Sequence, residues 1–358
     1  MVTPAPGRRQ LDSPAEQARV EQLLVSLRAE AKSRGEDSRA KSTQRAYRSD
    51  WRSFEGWCAA AGLTALPAGT DTVELYLVSL VRTGAAVATA ARHLSGIRHR
   101  HQAAGLPDPT ASPDVRSVLA GLQRDKGIRS RGRGPAPALK PPELWQVLDA
   151  CPTEYRPQRD SPAVPSLAGA RDRALILVGF YAALRRSELS AATVADLHED
   201  TQGRGFVLEI PASKTDQEGK GQEVALPHTE PSPYCPAHAL QEWLTLARIT
   251  TGPIFRGVTA HNTIRRTALS AAAVTMIVEK ATVRAGLEPG KYSAHSLRAG
   301  FVTYADELGH PDDTIKRQTR HTADSTLQRY KRHESIWTEN AATKLPPLAK
   351  SPAGVPPR

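Results

Sequence analysis

The stretch HSLRAGF, residues 295–301, places a histidine and an arginine three positions apart. A second polar stretch, RHTADSTLQRY at residues 320–330, places a histidine nine residues before a tyrosine. Two shorter motifs precede them: ALRRSEL, with an arginine and a glutamate, and SKTD, with a lysine. In chain order, the residues of these motifs that can carry chemistry are Arg185, Lys214, His295, Arg298, His321 and Tyr330.

These residue types fit chemistry at a phosphodiester. In-line attack on phosphorus gathers negative charge on the nonbridging oxygens, and guanidinium groups match those oxygens with paired hydrogen bonds. Arg185 and Arg298 suit this role. A phenol has a pKa of about 10 and is a poor nucleophile. Tyr330 therefore needs positive surroundings or a nearby base, which His295 can supply.

The remaining polar residues would complete such a site. A departing 5′ alkoxide needs a proton donor, and Lys214 is our candidate because it follows the first strand of a predicted hairpin. Lys220 lies on the same hairpin and stays open as the alternative. His321 would hydrogen-bond a nonbridging oxygen, and Glu188 would orient a histidine or an arginine. This chemistry requires no cofactor and no metal ion.

The chain is basic, with 48 Lys and Arg against 37 Asp and Glu in 358 residues, a net charge of +11. This excess indicates a polyanionic partner, with nucleic acid as the leading candidate. Positive charge is concentrated between Arg92 and Arg133, where nine basic residues stand against three acids and no Glu occurs. A solvated surface would carry interspersed acids, so the segment favours contact with phosphate.

Cysteine content and hydropathy indicate a cytoplasmic protein. The three cysteines are widely separated, which does not support a disulfide framework and fits a reducing compartment. The sequence contains no apolar run of the roughly 20 residues that a membrane helix needs, and its N-terminus lacks the apolar stretch of a signal peptide. We therefore expect no membrane association.

Apolar periodicity predicts four helices within residues 42–127, which together form a compact unit. The first helix buries an aromatic face and turns its arginines outward. Asp71 is the predicted N-cap of the second helix, and Ser112-Pro113 opens the fourth because proline is pre-organised for the first helical position. A short amphipathic helix is predicted before this unit, within residues 15–31.

A segment rich in Gly, Pro and Arg follows, IRSRGRGPAPALKPP at residues 128–142, and indicates an extended basic linker. The domain after it is predicted to be mainly helical, with the apolar helix of residues 170–184 in its core. Phe206–Ile210 and Glu223–Leu226 are β-prone runs around a polar loop, which predicts a hairpin. The linker arginines that can lie along a DNA backbone are Arg129, Arg131 and Arg133.

One group of residues invites a zinc interpretation. His228, Cys235 and His238 lie close in sequence, but a second ligand pair at finger spacing is missing. Pro236 is instead well placed to start a helix, and we prefer that interpretation. The sequence also has no Gly-rich phosphate loop and no acidic cluster for two metal ions.

The motif order resembles that of the tyrosine recombinases and phage integrases, and the layout of the first domain resembles the Cre-like branch. The most specific parts of this resemblance are HSLRAGF and the nine-residue spacing from His321 to Tyr330. The looser likeness of the first domain consists of Trp57-Cys58 and the stretch AAVATAARHLSGIRHRHQAAGLP at residues 85–107. The resemblance covers about residues 40–340.

The resemblance implies a mainly α fold, with a helical SAM-like core-binding domain before a catalytic domain. The catalytic domain would be mixed α/β, mostly helical with a small β-hairpin or sheet. The predicted segments are an N-terminal tail with a short helix (1–40), the core-binding domain (41–127), the basic linker (128–139), the catalytic domain (140–345) and a disordered tail (346–358).

The implied activity is site-specific cleavage and rejoining of DNA through a 3′-phosphotyrosine on Tyr330. Strand exchange would pass through a Holliday junction, with four protomers on two DNA sites and a target built on an inverted repeat. The segment after the nucleophile would dock on a neighbouring protomer, with Ile336 and Trp337 as apolar anchors. The DNA-contacting residues predicted on the first and third helices are Thr43, Arg45, Arg48, Arg92 and His93.

Two alternatives remain open. A type IB topoisomerase-like enzyme would use a similar residue set to relax supercoils without choosing a site, and the Cre-like first domain argues against it. A DNA-binding protein with an inactive site would belong to a different functional class. Every position of the expected set is filled, which disfavours that second alternative.

Overall fold

The computed structural model describes most of the chain and divides it into two compact units, Met1–Arg133 and Gly134–Arg358. Each unit has its own hydrophobic core. Within the described part of the chain, helices are too short or too polar to cross a bilayer. The described residues are 22–27, 30, 41–125, 136–210, 221–229 and 232–320.

The first unit is helical, and the four predicted helices are confirmed. Residues 22–27, inside the predicted N-terminal helix, are also helical. The elements of the first unit are α1 (Lys41–Ala61), α2 (Thr70–Arg82), α3 (Val87–Ala103), a 3₁₀ turn (Pro109–Ala111) and α4 (Pro113–Arg124).

Local capping residues set where these helices begin. The Ser112 hydroxyl accepts a hydrogen bond from the Asp114 amide at 3.2 Å, and Pro113 takes the first helical position as predicted. The start of α2 differs from the prediction, because Gly69 is the N-cap residue. Asp71 therefore lies inside the first turn, where its negative charge complements the helix dipole.

Each helix of the first unit contributes to one apolar core. Phe54 of α1, Leu77 of α2, Ile97 of α3 and Val115 of α4 are fully buried. Burial of each such side chain stabilises the fold by about 1.5–3 kcal/mol. The aromatic face predicted for the first helix thus forms the centre of this unit.

A buried polar network joins three helices of the first unit. Asp50 is only 2% exposed, and its Oδ1 lies 3.0 Å from a guanidinium nitrogen of Arg92 and 3.2 Å from Nε2 of His93. The other ring nitrogen of His93 lies 2.8 Å from the hydroxyl of Tyr76, whose pKa is raised by burial. This placement contradicts the prediction that His93 contacts DNA, because both ring nitrogens are engaged inside the unit.

The second unit is mainly helical with three small antiparallel sheets among its described residues. Its helices are α5 (Glu143–Asp149), α6 (Leu167–Tyr181), α7 (Arg186–Ala191), α8 (Pro236–Leu246), α9 (Ala271–Arg284), α10 (Ala294–Glu307) and α11 (Asp312–Thr319). Its strands are β1 (Glu154–Tyr155), β2 (Val164–Pro165), β3 (Leu197–Glu199), β4 (Gly205–Ile210), β5 (Gln222–Pro227), β6 (Arg256–Val258) and β7 (Ile264–Ala268).

The predicted hairpin is confirmed as the pair β4 and β5. The register runs from Gly205 opposite Pro227 to Ile210 opposite Gln222, and β3 adds a third strand beside β4. The candidate general acids, Lys214 and the alternative Lys220, lie outside the described residues.

The central helix of the second unit is α6, and it is buried as its apolar sequence predicts. Leu175, Ile176 and Leu177 have no exposed surface. Helix α10 packs beside it, and Gly300 lets the chain at Leu139 approach closely, since a Cβ at Gly300 would overlap the Leu139 carbonyl. The motif HSLRAGF is therefore held against the core at its glycine.

We expect Asp50→Ala to lower the opening free energy of the first unit by about 1–3 kcal/mol, because the buried His93 and the half-exposed Arg92 would lose their acceptor. Amide hydrogen exchange of α1–α4 in the full chain measures this quantity for the first unit alone. The matched control is Glu55→Ala on the exposed face of α1, with an expected change below about 0.5 kcal/mol. Equal effects of the two substitutions would contradict a structural role for the network.

Candidate active site

The turn that follows α6 carries Arg185, the first residue of the predicted set. Ala182 is the C-cap residue of α6, and Ala183 adopts a left-handed conformation with φ of 46°. A residue with a Cβ in that region costs about 1–3 kcal/mol, so the surrounding contacts must hold it there. The turn places Arg185 at the N-cap of α7.

Glu188, three residues later, holds Arg185 in place. Its Oε2 accepts a hydrogen bond from the Arg185 backbone amide at 2.8 Å, and its Oε1 accepts one from the Arg185 guanidinium at 2.7 Å. The capping arrangement and the ion pair therefore use the same carboxylate. The structure places Glu188 on an arginine, one of the two partner types that the sequence leaves open for it.

A second arginine, Arg320, contacts the same carboxylate. Its Nη2 lies 2.7 Å from Oε2 of Glu188. Burial opposes ionisation of Glu188, but the charge of Arg320 and the hydrogen bonds from Arg185 outweigh it and lower the pKa of Glu188. Glu188 is therefore a carboxylate at neutral pH, compensated by two guanidinium groups.

Helix α10 supplies His295 and Arg298. Arg298 is 1% exposed, and its guanidinium donates to the carbonyl of Ala183 at 2.6 Å and to the carbonyl of Thr319. It thus ties the turn after α6 to the end of α11. Arg298 is buried because backbone carbonyls of two separate segments provide its acceptors.

His295 lies near both predicted arginines. Packing of protein around its ring lowers the pKa of His295, and the positive charges of Arg298, Arg185 and Arg186 lower it further. The residue is nevertheless exposed. A neutral imidazole at pH 7 that reaches solvent is suited to accept a proton.

Three side chains satisfy the carbonyl groups at the end of α6. Gln318 donates to the carbonyl of Tyr181 at 2.7 Å, and Arg320 donates to that of Ala182 at 3.3 Å. Arg298 donates to the next carbonyl, as described above. The last carbonyls of a helix lack partners within the helix, so these donors fasten residues 318–320 to the turn that carries Arg185.

Sequence reasoning missed Arg320 and Gln318. Arg320 stands inside the quoted stretch RHTADSTLQRY, directly before His321, but spacing assigns it no role. It is the C-cap residue of α11 and has a left-handed conformation with φ of 57°, where glycine is usual. Arginine in place of glycine at this helix end is the local feature indicating that the Arg320 side chain has a role.

Of the six predicted catalytic residues, the structure brings Arg185, His295 and Arg298 together. Glu188, predicted beside them, lies in the same cluster. The other three predicted residues, Lys214, His321 and Tyr330, lie outside the described residues. The described chain ends at Arg320, one residue before His321.

The predicted DNA-contacting residues of the first unit lie on two helices. Arg45 and Arg48 are exposed on α1, and Thr43 on the same helix is half-buried. Arg92 on α3 is about half exposed while it pairs with Asp50. The linker arginines, Arg129, Arg131 and Arg133, lie outside the described residues.

The group around Cys235 serves a structural purpose. The Cys235 sulfur accepts hydrogen bonds from the amides of Thr229 at 3.3 Å and His238 at 3.4 Å. Pro236 then begins α8, which confirms the predicted helix start. Across the described ranges, no three His, Cys, Asp or Glu residues lie together as a metal site would require.

Comparison with known sequences identifies the family. Residues 139–335 match the phage integrase family, and residues 34–105 match the phage integrase N-terminal SAM-like domain. The first match alone covers more than half of the chain. The chain belongs to the phage integrase family. The predicted resemblance to tyrosine recombinases is thereby confirmed, as is a SAM-like domain followed by a catalytic integrase domain.

Among relatives of this phage integrase family member, an integrase/recombinase XerD homolog of Selenomonas ruminantium is 35% identical over 322 residues, 89% of each chain. The chain is thus a XerD-like tyrosine recombinase, an enzyme of site-specific DNA recombination. It is also similar in fold to a lambda integrase dimer bound to a COC′ core site, with a TM-score of 0.53 and 16% identity over 90% of this chain and 81% of that one.

A further structural likeness is to the XerH site-specific recombinase bound to a palindromic difH substrate in a post-cleavage complex. The TM-score is 0.51, with 19% identity over 76% of this chain and 70% of that one. At such low identity, both structural likenesses concern the fold.

We expect Glu188→Gln to lower the free energy of unfolding by about 3 kcal/mol at pH 7, because two buried contacts lose their negative partner. Since the folded-state pKa of Glu188 is lowered, its contribution is complete above the ordinary glutamate pKa of about 4.3 and is lost as the pH falls through the folded-state value. The difference between wild type and variant in urea denaturation should therefore shrink below about pH 4.3.

Glu209→Gln provides the control, since Glu209 pairs with His198 on the surface of the sheet. We expect a change of less than about 0.5 kcal/mol for it at neutral pH. A Glu188→Gln effect that stays constant down to pH 3 would show that the carboxylate charge is not what stabilises the turn.

Proposed function

We propose that this recombinase cleaves and rejoins DNA strands at a specific site through a covalent 3′-phosphotyrosine on Tyr330, in integration, excision or resolution of DNA. The observation that carries the proposal is the convergence of Arg185, at the N-cap of α7, with His295 and Arg298 of α10 around the turn after α6. The order of the remaining motif residues along the chain supports it.

The arginines would stabilise the reacting phosphate. Arg185 is held by Glu188 at the N-cap of α7, with about a third of its side chain exposed toward solvent. Arg298 is 1% exposed and donates to two backbone carbonyls, so it would act on the phosphate through its buried positive charge. Charge that is fixed before the reaction stabilises the pentacovalent state without reorganisation.

Cleavage would proceed by one displacement at phosphorus. The Tyr330 oxygen bonds to phosphorus while the bond between phosphorus and the 5′ oxygen breaks. The phenol proton passes to His295, and Lys214 gives a proton to the departing 5′ oxygen. His321 would hydrogen-bond a nonbridging oxygen. The lowered pKa of His295 supports its part, since a neutral ring is needed to take the proton.

Rejoining would reverse the displacement. The phosphotyrosine retains the energy of the broken phosphodiester, so a 5′ hydroxyl of another strand can attack it without ATP or a metal ion. Strand exchange would pass through a Holliday junction on four protomers and two DNA sites. The palindromic substrate of the XerH complex supports a target site with an inverted repeat.

DNA binding would involve both the helical unit and the linker. Arg45 and Arg48 on the exposed face of α1, with Thr43 beside them and Arg92 on α3, are candidates for contacts to bases and phosphates. The linker arginines, Arg129, Arg131 and Arg133, would lie along the backbone. Such contacts would keep the enzyme on the nucleoid, in the cytoplasm.

Two alternatives differ from this proposal in outcome. A type IB topoisomerase-like enzyme would relax DNA without site choice, whereas the match to the integrase SAM-like domain favours a site-specific recombinase. An inactive DNA-binding protein would not need the complete residue set. The relatives found are XerD-like, so the Cre-like layout of the first domain stays a prediction.

We expect a suicide DNA duplex, nicked so that the short fragment that carries the freed 5′ hydroxyl is lost after cleavage, to trap wild type as a covalent adduct in EDTA. The cognate site is first selected from random duplexes, and the adduct is detected by its reduced gel mobility. Tyr330→Phe should form no adduct yet retain binding, because only the nucleophilic oxygen is removed. Failure of wild type to form an adduct on the selected duplex would overturn the proposal.

The same gel assay tests specificity. Adducts confined to the selected duplex support site-specific recombination. Adducts that form equally on unrelated duplexes would instead favour the topoisomerase-like alternative.

The general acid can be identified with Lys214→Ala and its matched control Lys220→Ala on the same hairpin. We expect Lys214→Ala to slow cleavage about 100-fold or more, as loss of a general acid does, and Lys220→Ala to cleave as wild type. A 5′-bridging sulfur at the scissile phosphate should restore Lys214→Ala, because a thiolate leaves without protonation. If the sulfur substrate restores cleavage by Lys220→Ala and not by Lys214→Ala, Lys220 is the general acid.

A further inference from the structure

We propose that Arg320 is a positioning residue of the active site, which holds Glu188 against Arg185 and fixes where the segment with His321 and Tyr330 begins. This inference rests on the proposed function. It assigns a role to a residue that lies outside the predicted catalytic set and that contacts the set through Glu188.

The first support is the geometry around the Glu188 carboxylate. Oε1 accepts from the Arg185 guanidinium at 2.7 Å, and Oε2 accepts from Arg320 at 2.7 Å. The two guanidinium groups thus bind opposite oxygens of one carboxylate. Rotation of the carboxylate would break one ion pair to keep the other, so Arg320 limits the orientations open to Arg185.

The second support is the difference in exposure of the two arginines. The Arg185 side chain is 34% exposed, whereas that of Arg320 is 3% exposed. Arg185 can therefore reach a phosphate in solvent, whereas the Arg320 side chain is buried and its charge is paired with the Glu188 carboxylate. Arg320 would act on the substrate only through Glu188 and Arg185, which makes it a positioning residue.

The third support is that Arg320 is costly for stability in two respects. Its backbone is left-handed with φ of 57°, a conformation that glycine adopts without strain. Its Nε is buried, and within the described residues no acceptor lies in reach of it. Strain and an unsatisfied donor at one residue are typical of a position kept for function.

The fourth support is the position of Arg320 in the chain. Residues Gln318 and Arg320 donate to the carbonyls of Tyr181 and Ala182, and Thr319 accepts from Arg298. The end of α11 is thus fastened to the turn that carries Arg185. The next residue in sequence is His321, so this anchor fixes the point from which the proposed histidine and nucleophile segment starts.

The test compares Arg320→Ala and Arg320→Lys with wild type in single-turnover cleavage of the selected suicide duplex at saturating protein. We expect Arg320→Ala to cleave about 10–100-fold more slowly, the usual loss when a supporting partner of a site residue is removed. Arg320→Lys should lie in between, because it keeps one charge but cannot contact Glu188 and a carbonyl together. DNA binding by both variants should stay within about threefold of wild type.

A matched control separates positioning from general loss of stability. Arg284→Ala removes an arginine that pairs with buried Asp172 at 2.9 Å on α6, away from the turn. We expect it to lower the melting temperature while cleavage by the folded protein stays within about twofold of wild type. An equal loss of cleavage in Arg284→Ala would overturn the inference.

A second substrate gives a readout that unfolding would not change. In a methylphosphonate at the scissile position one charged nonbridging oxygen is replaced by a methyl group, so an ill-positioned Arg185 matters less there. We expect the defect of Arg320→Ala to be at least about fivefold smaller on this substrate than on the phosphodiester. Equal defects on both substrates would show a merely structural role and overturn the inference.

The outcomes for the two proposals are distinct. If wild type forms no adduct, the proposed function fails and the inference fails with it. If wild type forms the adduct and Arg320→Ala cleaves at the same rate, the inference alone is overturned.

Discussion

The arrangement of the second unit around its candidate active site depends on the ion pairs of the Glu188 carboxylate. A buried negative charge is tolerated only when positive or hydrogen-bonding partners surround it. Here the partners are Arg185 and Arg320. Arg320 lies 132 residues after Glu188 in the chain. Because both must be satisfied at once, the turn after α6 and the end of α11 have one mutual arrangement.

The geometry of helix ends explains why the site forms at this place. The last carbonyls of α6 need donors, and arginine side chains from other segments provide them. Two residues with Cβ atoms, Ala183 and Arg320, accept left-handed backbones as part of this arrangement. Strain of this kind persists only where many contacts determine the conformation, and the result is a rigid frame for positive charge.

The first unit uses a buried carboxylate differently. The buried Asp50 pairs with the half-exposed Arg92 and with the buried His93, and Phe54 of the same helix packs in the core. The Asp50 carboxylate faces inward, and the arrangement leaves the exposed arginines of α1 available for a partner. Among the described residues, Asp50 is thus held inside the helical unit, while Arg45 and Arg48 stay on its surface.

Local patterns determine much of this protein, because they depend on neighbours in the chain. The four helices of the first unit, the Ser112 cap, the hairpin of β4 and β5 and the buried character of α6 all follow from periodicity and capping residues. The order of Arg185, His295 and Arg298 along the chain likewise indicates the family. These features need no knowledge of long-range packing.

Burial and partnership depend on contacts between distant residues, and the tertiary structure alone decides them. His93 resembles a surface histidine in sequence, yet Asp50 and Tyr76 enclose it. Arg320 has no motif position, yet it meets Glu188 because two helix ends converge. The sequence by itself determined the fold class, the family and the order of the candidate residues, whereas the fold decided which charges face each other and which reach solvent.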